Sequence, residues 1–309
     1  MNNQKWKKKG QLFAAKETLW WSKKYGILPT PFYLPEENII RIYYGTTDEK
    51  NNGRITFLDV HADDPSVILN KHFNPILDLG PEGCFDDCGV VPSSILKRED
   101  QVYLYYVGFQ RCEKVPYMLF PGLAFSNDSI SFHRHSLCPI IDRIPEAPFS
   151  NAAPFVLFHE GKFKMWHWLG KEWVTLSGKL YLQATIGYSE SADGIDWKLI
   201  KADCIVPESS KKEFSVGRPW IVIEDGKYKM WYSVRHEHIL YRIYFAESTD
   251  GLNWNKFGMP EGLDVSETGW DSEMMCYPAV ISTKTKTFLF YNGNNNGETG
   301  FGYAELVNQ

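Results

Sequence analysis

Several features that mark particular classes of protein are scarce in this sequence. No apolar run approaches the roughly 20 residues of a membrane-spanning helix, and helical periodicity is nearly absent over windows longer than about 12 residues. The formal net charge of −5 provides no basic field that would attract a nucleic acid. These shortages exclude a helical membrane span and a helix bundle, and they argue against a nucleic-acid partner.

Cysteines are also few and scattered. Among the six, only Cys84 and Cys88 lie close together, and one C-x3-C pair without a second pair does not specify a zinc site. We therefore expect no metal and no cofactor. No secretory apolar segment follows the basic residues near the N-terminus, and together with the scattered thiols this predicts a cytoplasmic location.

The motifs of several common enzyme classes are missing as well. The chain has no G-x-S-x-G, no dinucleotide fingerprint and no H-E-x-x-H. The Gly- and Asn-rich segment at 292–300 lacks the following helix that a phosphate-binding loop requires, so it predicts a hairpin loop at a pocket rim.

Aromatic residues, in contrast, are abundant at 15% of the chain, and 11 of them are tryptophans. Aromatic side chains favour β-structure, because their rings pack well on pleated surfaces. Flat rings also stack on the apolar faces of pyranose sugars. The composition therefore suits both packing between sheets and binding of a carbohydrate.

One pattern occurs twice in strong form. SADGIDW at 191–197 and STDGLNW at 248–254 share Ser-x-Asp-Gly-x-x-Trp, and they follow the similar segments GKFKMWHW at 161–168 and GKYKMWYS at 226–233. The alternation and turn residues predict a four-stranded antiparallel meander of about 60 residues in each copy. The Asp-Gly pair supplies a turn that tolerates positive φ, and the tryptophan can pack between neighbouring sheets.

Weaker copies in the segments 31–69, 92–134 and 278–306 bring the number of repeats to five. The last copy lacks a fourth strand, and residues 11–16 form a spare strand whose pairing with 301–306 would close a ring and remove an exposed edge. The sequence therefore predicts an all-β fold, a five-bladed β-propeller of four-stranded antiparallel blades closed by an N-terminal strand.

The domain organisation follows from this interpretation. Residues 1–10 contain the only basic run and are expected to form a solvated tail. Residues 11–309 are expected to form one propeller domain, and the oligomeric state is left open.

These features resemble the five-bladed propeller superfamily of arabinanases, levansucrases and invertases, which includes family 43 and family 32 glycoside hydrolases. The resemblance rests on the Y/F-x-M/L-W/Y strands and Ser-x-Asp-Gly-x-x-Trp hairpins, and it covers essentially the whole chain. It implies carboxylates at the starts of the innermost strands, converging on a central pocket. Two positions depart from the superfamily: the first inner strand, at 27–34, has no acidic residue, and Ala152 stands where a glutamate is expected.

Candidate pocket residues lie just before the inner strands and at the ends of the second strands, because these places share one face of a propeller. The candidate catalytic residues are Asp86, Asp87 and Glu273. The candidates for substrate binding are Asn151, His167, Trp168, Arg218, Arg235, His236, Asp271 and Asn292. Each also has a structural interpretation, such as an ion pair between Arg218 and Glu213.

This mixture of groups is what glycosyl chemistry uses. We predict a glycoside hydrolase-like enzyme that cleaves a glycosidic bond of a carbohydrate or sugar-containing small molecule with paired carboxylates. Asp87 or Asp86 would be the base or nucleophile and Glu273 the general acid, while Arg218, Arg235 and His236 would hold the substrate. Two alternatives stay open: transfer of the sugar to phosphate or another acceptor, and a propeller that binds a glycan or protein without catalysis.

Overall fold

Four-stranded sheets recur along the chain with the period that the sequence predicts. The computed structural model describes residues 4–15 and 19–307, and within them twenty β-strands form antiparallel blades. The first two blades are β2 to β5 and β6 to β9. Their bounds are β2 Lys24–Leu34, β3 Ile39–Thr47, β4 Gly53–His61, β5 Asp64–Lys71, β6 Gly89–Arg98, β7 Gln101–Arg111, β8 Tyr117–Ser126 and β9 His133–Arg134.

Blades 3 and 4 contain the two strong repeats. Their bounds are β10 Ser150–His159, β11 Lys162–Leu176, β12 Lys179–Ser191, β13 Lys198–Ile205, β14 Glu213–Glu224, β15 Lys227–His236, β16 Leu240–Ser248 and β17 Asn255–Gly258. In blades 1 to 4 the strands pair in chain order, and the first strand of each is innermost. A single bridge between Gly53 and Gly89 joins blades 1 and 2.

Blade 5 takes its outer strand from the other end of the chain. It comprises β18 Cys276–Ser282, β19 Thr287–Asn292, β20 Phe301–Val307 and β1 Lys5–Phe13. β1 runs antiparallel to β20, from Lys5 opposite Val307 to Phe13 opposite Phe301. The predicted propeller and its closure by an N-terminal strand are confirmed.

The expected boundary between tail and domain requires a correction. Residues 5–10 belong to β1, where Lys9 pairs with Glu305 at 2.7 Å and Lys8 pairs with Asp271 at 3.0 Å. Lys5, Lys7 and Lys9 alternate with the buried Trp6 and the half-buried Lys8, so these three lysines form the outward side of an edge strand rather than a solvated tail. Residues 1–3 and Lys16 lie outside the described residues.

The core lies between the blades. Separate clusters of buried side chains fill the spaces between blades 1 and 2, between blades 2 and 3, among blades 3 to 5, and between blades 5 and 1. Each sheet therefore buries both faces, which explains the high aromatic content, because large rings fill the wedge between twisted sheets. In the described part of the chain no helix is long and apolar enough to cross a membrane.

The repeated heptads form the outer turns of blades 3 and 4. Ser191 donates a hydrogen bond to the carboxylate of Asp193 at 2.8 Å, and Gly194 follows with φ of 79°. Ser248, Asp250 and Gly251 repeat this arrangement, with a glycine φ of 73°. The predicted role of the Asp-Gly pair as a turn is confirmed.

Candidate functional site

Every inner strand carries a β-bulge at a proline. In blades 1, 3, 4 and 5 an X-Pro pair lies opposite a single residue of the second strand, so the bulge has one extra residue, and the first member of the pair has positive φ. These first members are Leu28 at 56°, Ala153 at 47°, Arg218 at 50° and Tyr277 at 57°. Such angles are strained for residues with a side chain, and bulges change the direction in which side chains point. The same strained position thus recurs on four of the five inner strands.

Arg218 shows where one of these bulges directs its side chain. The residue belongs to blade 4, yet its guanidinium donates to the carbonyl oxygen and hydroxyl of Ser93 in blade 2 and, at 3.1 Å, to the hydroxyl of Thr30 in blade 1. Blades 1 and 2 are not neighbours of blade 4 in the ring. The guanidinium therefore lies across the propeller axis, and the ion pair with Glu213 considered from the sequence is not formed.

A long hairpin reaches beyond the body of blade 3. β11 and β12 pair continuously from Phe163–Ser191 out to Leu176–Lys179, where Ser177 and Gly178 both have positive φ. The sequence interpretation treated this stretch as a loop. The two-residue Ser-Gly turn is the signal for a tight hairpin that was missed. The hairpin brings Trp173 and Tyr181 to the face where the inner strands start, here called the strand-start face.

Side chains from four blades meet on the strand-start face. Arg235 lies 3.8 Å from the ring of Tyr181 and 5.4 Å from that of Tyr241. The ring of Tyr241 is 5.9 Å from that of Tyr277, and the rings of Tyr117 and Trp173 are 5.3 Å apart. We call these residues the aromatic cluster: Tyr117, Trp173, Tyr181, Arg235, Tyr241 and Tyr277. All six remain partly exposed.

Burial raises the pKa values of three tyrosines in the cluster. It raises the pKa of Tyr117 to about 12, and it also raises the pKa values of Tyr241 and Tyr277. Their hydroxyls therefore stay neutral at physiological pH and can both donate and accept hydrogen bonds. The cluster offers flat apolar faces, neutral hydroxyls and one cation, and none of its members forms an ion pair within the described residues.

The three predicted catalytic carboxylates occupy three different environments. Asp86 is fully buried, with one oxygen accepting from Arg134 at 2.7 Å and from Tyr106 at 3.1 Å. Asp87 accepts from the backbone N–H of Gly83 at 2.9 Å, and its other oxygen is buried without a partner among the described residues. Glu273 has an exposed side chain. None of the three touches the aromatic cluster through a described hydrogen bond or ion pair.

Three of the predicted binding residues contact other groups of the protein itself. Asp271 accepts from Lys8 and, at 3.0 Å, from the hydroxyl of Tyr291. Asn292 accepts from the backbone N–H of Leu28 at 2.8 Å and donates to two carbonyl oxygens, so it joins blade 5 to blade 1. His236 is buried and lies 3.3 Å from the hydroxyl of Tyr244.

Two further candidates lie inside blade 3, while Trp168 lies beside the axis. His167 contacts the hydroxyl of Ser189 at 2.9 Å, and complete burial lowers its pKa to about 3. Asn151 is buried and donates to the carbonyl oxygen of Asp142 at 2.7 Å. Trp168 packs on Gly217, where an added side chain would approach the indole to 2.6 Å. Of the predicted binding residues, the structure therefore brings Trp168, Arg218 and Arg235 towards the strand-start face and axis.

This chain is similar in sequence to a protein of Mycobacterium tuberculosis. No family model matches the chain. It is 36% identical over 304 residues to the uncharacterized protein Rv1502 of Mycobacterium tuberculosis, an alignment that covers 98% of this chain and 99% of the relative. The chain belongs to the family of Rv1502. Because this member aligns with the whole of the relative, the family shares the five-bladed architecture.

Several solved glycoside hydrolase structures share the fold of this chain. A thermostable family-43 glycoside hydrolase matches with a TM-score of 0.67 and 16% identity over 95% of this chain and 91% of that one. A structure from the GH130 family of mannoside phosphorylases and glycoside hydrolases matches with a TM-score of 0.71 and 12% identity, over 98% and 93%. The GH32 β-fructofuranosidase BmSUC1 of Bombyx mori matches with a TM-score of 0.62 and 13% identity. This match covers 91% of this chain and 61% of that one. At these identities the likeness concerns the fold.

Proposed function

We propose that this propeller binds a carbohydrate at the aromatic cluster. The observation that carries the proposal is the convergence of Arg235 with five partly exposed aromatic side chains from different blades on one face. Aromatic rings stack on the apolar faces of sugars, and the neutral hydroxyls and the guanidinium supply directional hydrogen bonds. The glycoside hydrolase fold of the structural neighbours supports a sugar as the ligand.

Binding can be tested with a panel of saccharides and the Tyr181→Ala and Trp173→Ala variants. We expect each variant to bind at least about tenfold more weakly, since each removes a stacking surface. Phe73→Ala is the matched control, because Phe73 is an aromatic residue that is 66% exposed and lies outside the cluster. Equal affinities for all three variants would place the sugar elsewhere.

A second candidate function is cleavage or transfer of the bound glycosyl group. The observation that favours it is the buried, unpartnered carboxylate oxygen of Asp87 at the start of an inner strand. In this reaction Asp87 would be the base or nucleophile and Glu273 the general acid, on a substrate held by the aromatic cluster. Asp86 is the weaker candidate because one of its oxygens accepts from both Arg134 and Tyr106, although its other oxygen is also buried without a described partner.

Catalysis is tested with aryl glycosides and natural oligosaccharides, in the presence and absence of phosphate. Turnover that Asp87→Asn and Glu273→Gln both abolish supports cleavage with these two carboxylates. A glycosyl phosphate product formed only with phosphate identifies phosphorolysis. Tight sugar binding without turnover in either condition supports the propeller as a binding protein alone.

A further inference from the structure

Arg218 differs from the other buried arginines of the described chain. Arg41 and Arg54 are also buried, and each is neutralised by a carboxylate: Arg41 by Asp59 and Arg54 by Asp48. Arg218 is 2% exposed, and no described aspartate or glutamate forms an ion pair with it. Its hydrogen-bond acceptors are neutral hydroxyls and a carbonyl oxygen.

Arg218 and Arg41 differ in what binds the Nε–Nη2 edge of the guanidinium. Arg41 binds Asp59 through Nε at 2.8 Å and Nη2 at 3.1 Å, the edge that fits a carboxylate in a bidentate manner. In Arg218 the bonds to Ser93 use Nη1, and Nη2 donates to the hydroxyl of Thr30. The Nε–H is buried without an acceptor among the described residues. The edge that recognises oxyanions is thus the one that this chain leaves without an anionic partner.

Two unfavourable features coincide at this residue. Burial lowers the pKa of Arg218 to about 9, which still leaves the guanidinium charged at neutral pH. A buried charge without a counter-charge is strongly unfavourable, and so is a positive φ of 50° immediately before a proline. The positive φ recurs at the same position in three other blades, so the buried charge without a counter-charge is the feature particular to Arg218.

The position of Arg218 connects it to the aromatic cluster. Tyr277, a cluster member, occupies the same bulge position as Arg218 on the inner strand of the neighbouring blade 5. Tyr277 is adjacent to Tyr241, which packs against Arg235. A line of tyrosines therefore runs from one guanidinium to the other, and no described carboxylate forms an ion pair with either. On the opposite side, a cavity of about 400 Å³ is lined mainly by apolar residues, and its one charged lining residue is Lys97.

We propose that Arg218 binds an oxyanion, a carboxylate or phosphate group, through its Nε–Nη2 edge at the propeller axis. The ligand class is therefore acidic sugars, either sugar phosphates or uronates, which approach from the strand-start face past Tyr277. This inference deepens the proposed function and rests on it for the sugar part of the ligand. The oxyanion part can be tested alone.

The first test measures binding of inorganic phosphate, glucose 1-phosphate and glucuronate to the full chain by calorimetry. Thermal unfolding is followed in parallel, with sodium chloride added to equal ionic strength as the reference. We expect saturable binding and a concentration-dependent rise in Tm for at least one oxyanion. Arg218→Gln should weaken that binding by about tenfold or more. Arg143→Gln should not, because Arg143 is an exposed arginine that also lacks a described carboxylate partner.

The outcomes separate the source of the oxyanion and the two proposals. Phosphate binding alone indicates a free anion, while tighter binding of glucose 1-phosphate or glucuronate indicates an acidic sugar. Oxyanion binding that depends on Arg218, without binding of any saccharide, supports this inference and overturns the proposed function. Binding of neutral saccharides, with no oxyanion response or with an equal response in Arg218→Gln, overturns the inference alone.

A measurement on the unaltered protein tests the same inference even if the Arg218→Gln variant does not fold. Crystals soaked in selenate should show an anomalous selenium peak beside Arg218, with a selenate oxygen within hydrogen-bond reach of Nε, about 3 Å away. Density confined to surface lysines at saturating selenate would contradict the assignment.

Discussion

The hydroxyl of Tyr105 donates a 2.9 Å hydrogen bond to the carbonyl oxygen of Gly194, and this bond ties the second strand of blade 2 to the outer turn of blade 3. The same joint recurs on either side. The hydroxyl of Tyr43 donates to the carbonyl oxygen of Ser129 at 2.6 Å. The indole N–H of Trp166 donates to the carbonyl oxygen of Gly251 at 2.8 Å. The aromatic residue of the second strand and the Ser-x-Asp turn of the next blade are therefore two halves of one connection.

The last joint of the series is missing for a structural reason. Trp231 occupies the corresponding place in blade 4, and its indole N–H is buried without an acceptor among the described residues. The outer strand of blade 5 is β1, which comes from the N-terminal end of the chain and brings no Ser-x-Asp turn. Trp231 instead packs edge-on against Trp6, with ring centroids 6.1 Å apart.

The joint predicts a measurable contribution to stability. Tyr105→Phe should lower the free energy of unfolding by about 1–2 kcal/mol, because the buried carbonyl of Gly194 loses its donor while the packing is kept. Urea denaturation measures the change. Tyr103→Phe, on the same strand and without a described hydrogen bond from its hydroxyl, should change stability by less than about 0.5 kcal/mol. Equal losses in the two variants would refute the joint.

The buried ion pair of Asp86 predicts a structural role for this residue. Asp86→Asn should lower the free energy of unfolding by about 3 kcal/mol, since it leaves the guanidinium of Arg134 without its counter-charge. The double variant Asp86→Asn/Arg134→Met should be less destabilised than the single one, because both charges are then removed. A double-mutant cycle in guanidinium chloride provides the comparison. If Asp86→Asn kept full stability and lost only a catalytic activity, Asp86 would belong to the active site.

The Asp-Gly turns predict a loss of stability in acid. Hydrogen bonds from backbone N–H groups, chiefly that of Asn253, lower the pKa of Asp250. In the same way, a hydrogen bond from the backbone N–H of Asp196 lowers the pKa of Asp193. The unfolded chain takes up protons near the ordinary value of about 3.9, so the contribution is present above about pH 4 and lost as the pH falls below it. Asp250→Asn should flatten the acid limb of a stability–pH curve. Asp196→Asn, whose exposed carboxylate accepts no described hydrogen bond, should leave that limb unchanged.

His167 predicts a second pH dependence in a different range. Burial lowers its pKa to about 3, whereas an unfolded histidine takes up a proton near pH 6.5. The stability that it contributes is complete above about pH 6.5 and decreases as the pH falls from there towards 3. His167→Gln should reduce the slope of unfolding free energy between pH 6.5 and 4. His238→Gln, which alters a histidine exposed to solvent, should retain the slope of the parent protein.

Prediction from the sequence succeeded where the signals were local and repeated. Alternation and the heptads identified the blades, and the unpaired ends of the last repeat predicted the closing strand. It failed for the stretch between Trp168 and Leu182, where a loop was expected and β11 and β12 form a long hairpin. The Ser177-Gly178 turn was visible in the sequence. The aromatic cluster was not, because its members come from four blades.

The sequence by itself determined the number of blades, their strand order and the positions of the turns, because strand alternation and turn residues act over a few neighbouring positions. Only the tertiary structure decided which polar groups pair with each other. Asp86 meets Arg134, and Arg218 reaches Thr30 and Ser93 across the axis, between residues far apart in the chain. A side chain's charge balance depends on partners that meet only after the ring has closed, and no local pattern encodes them.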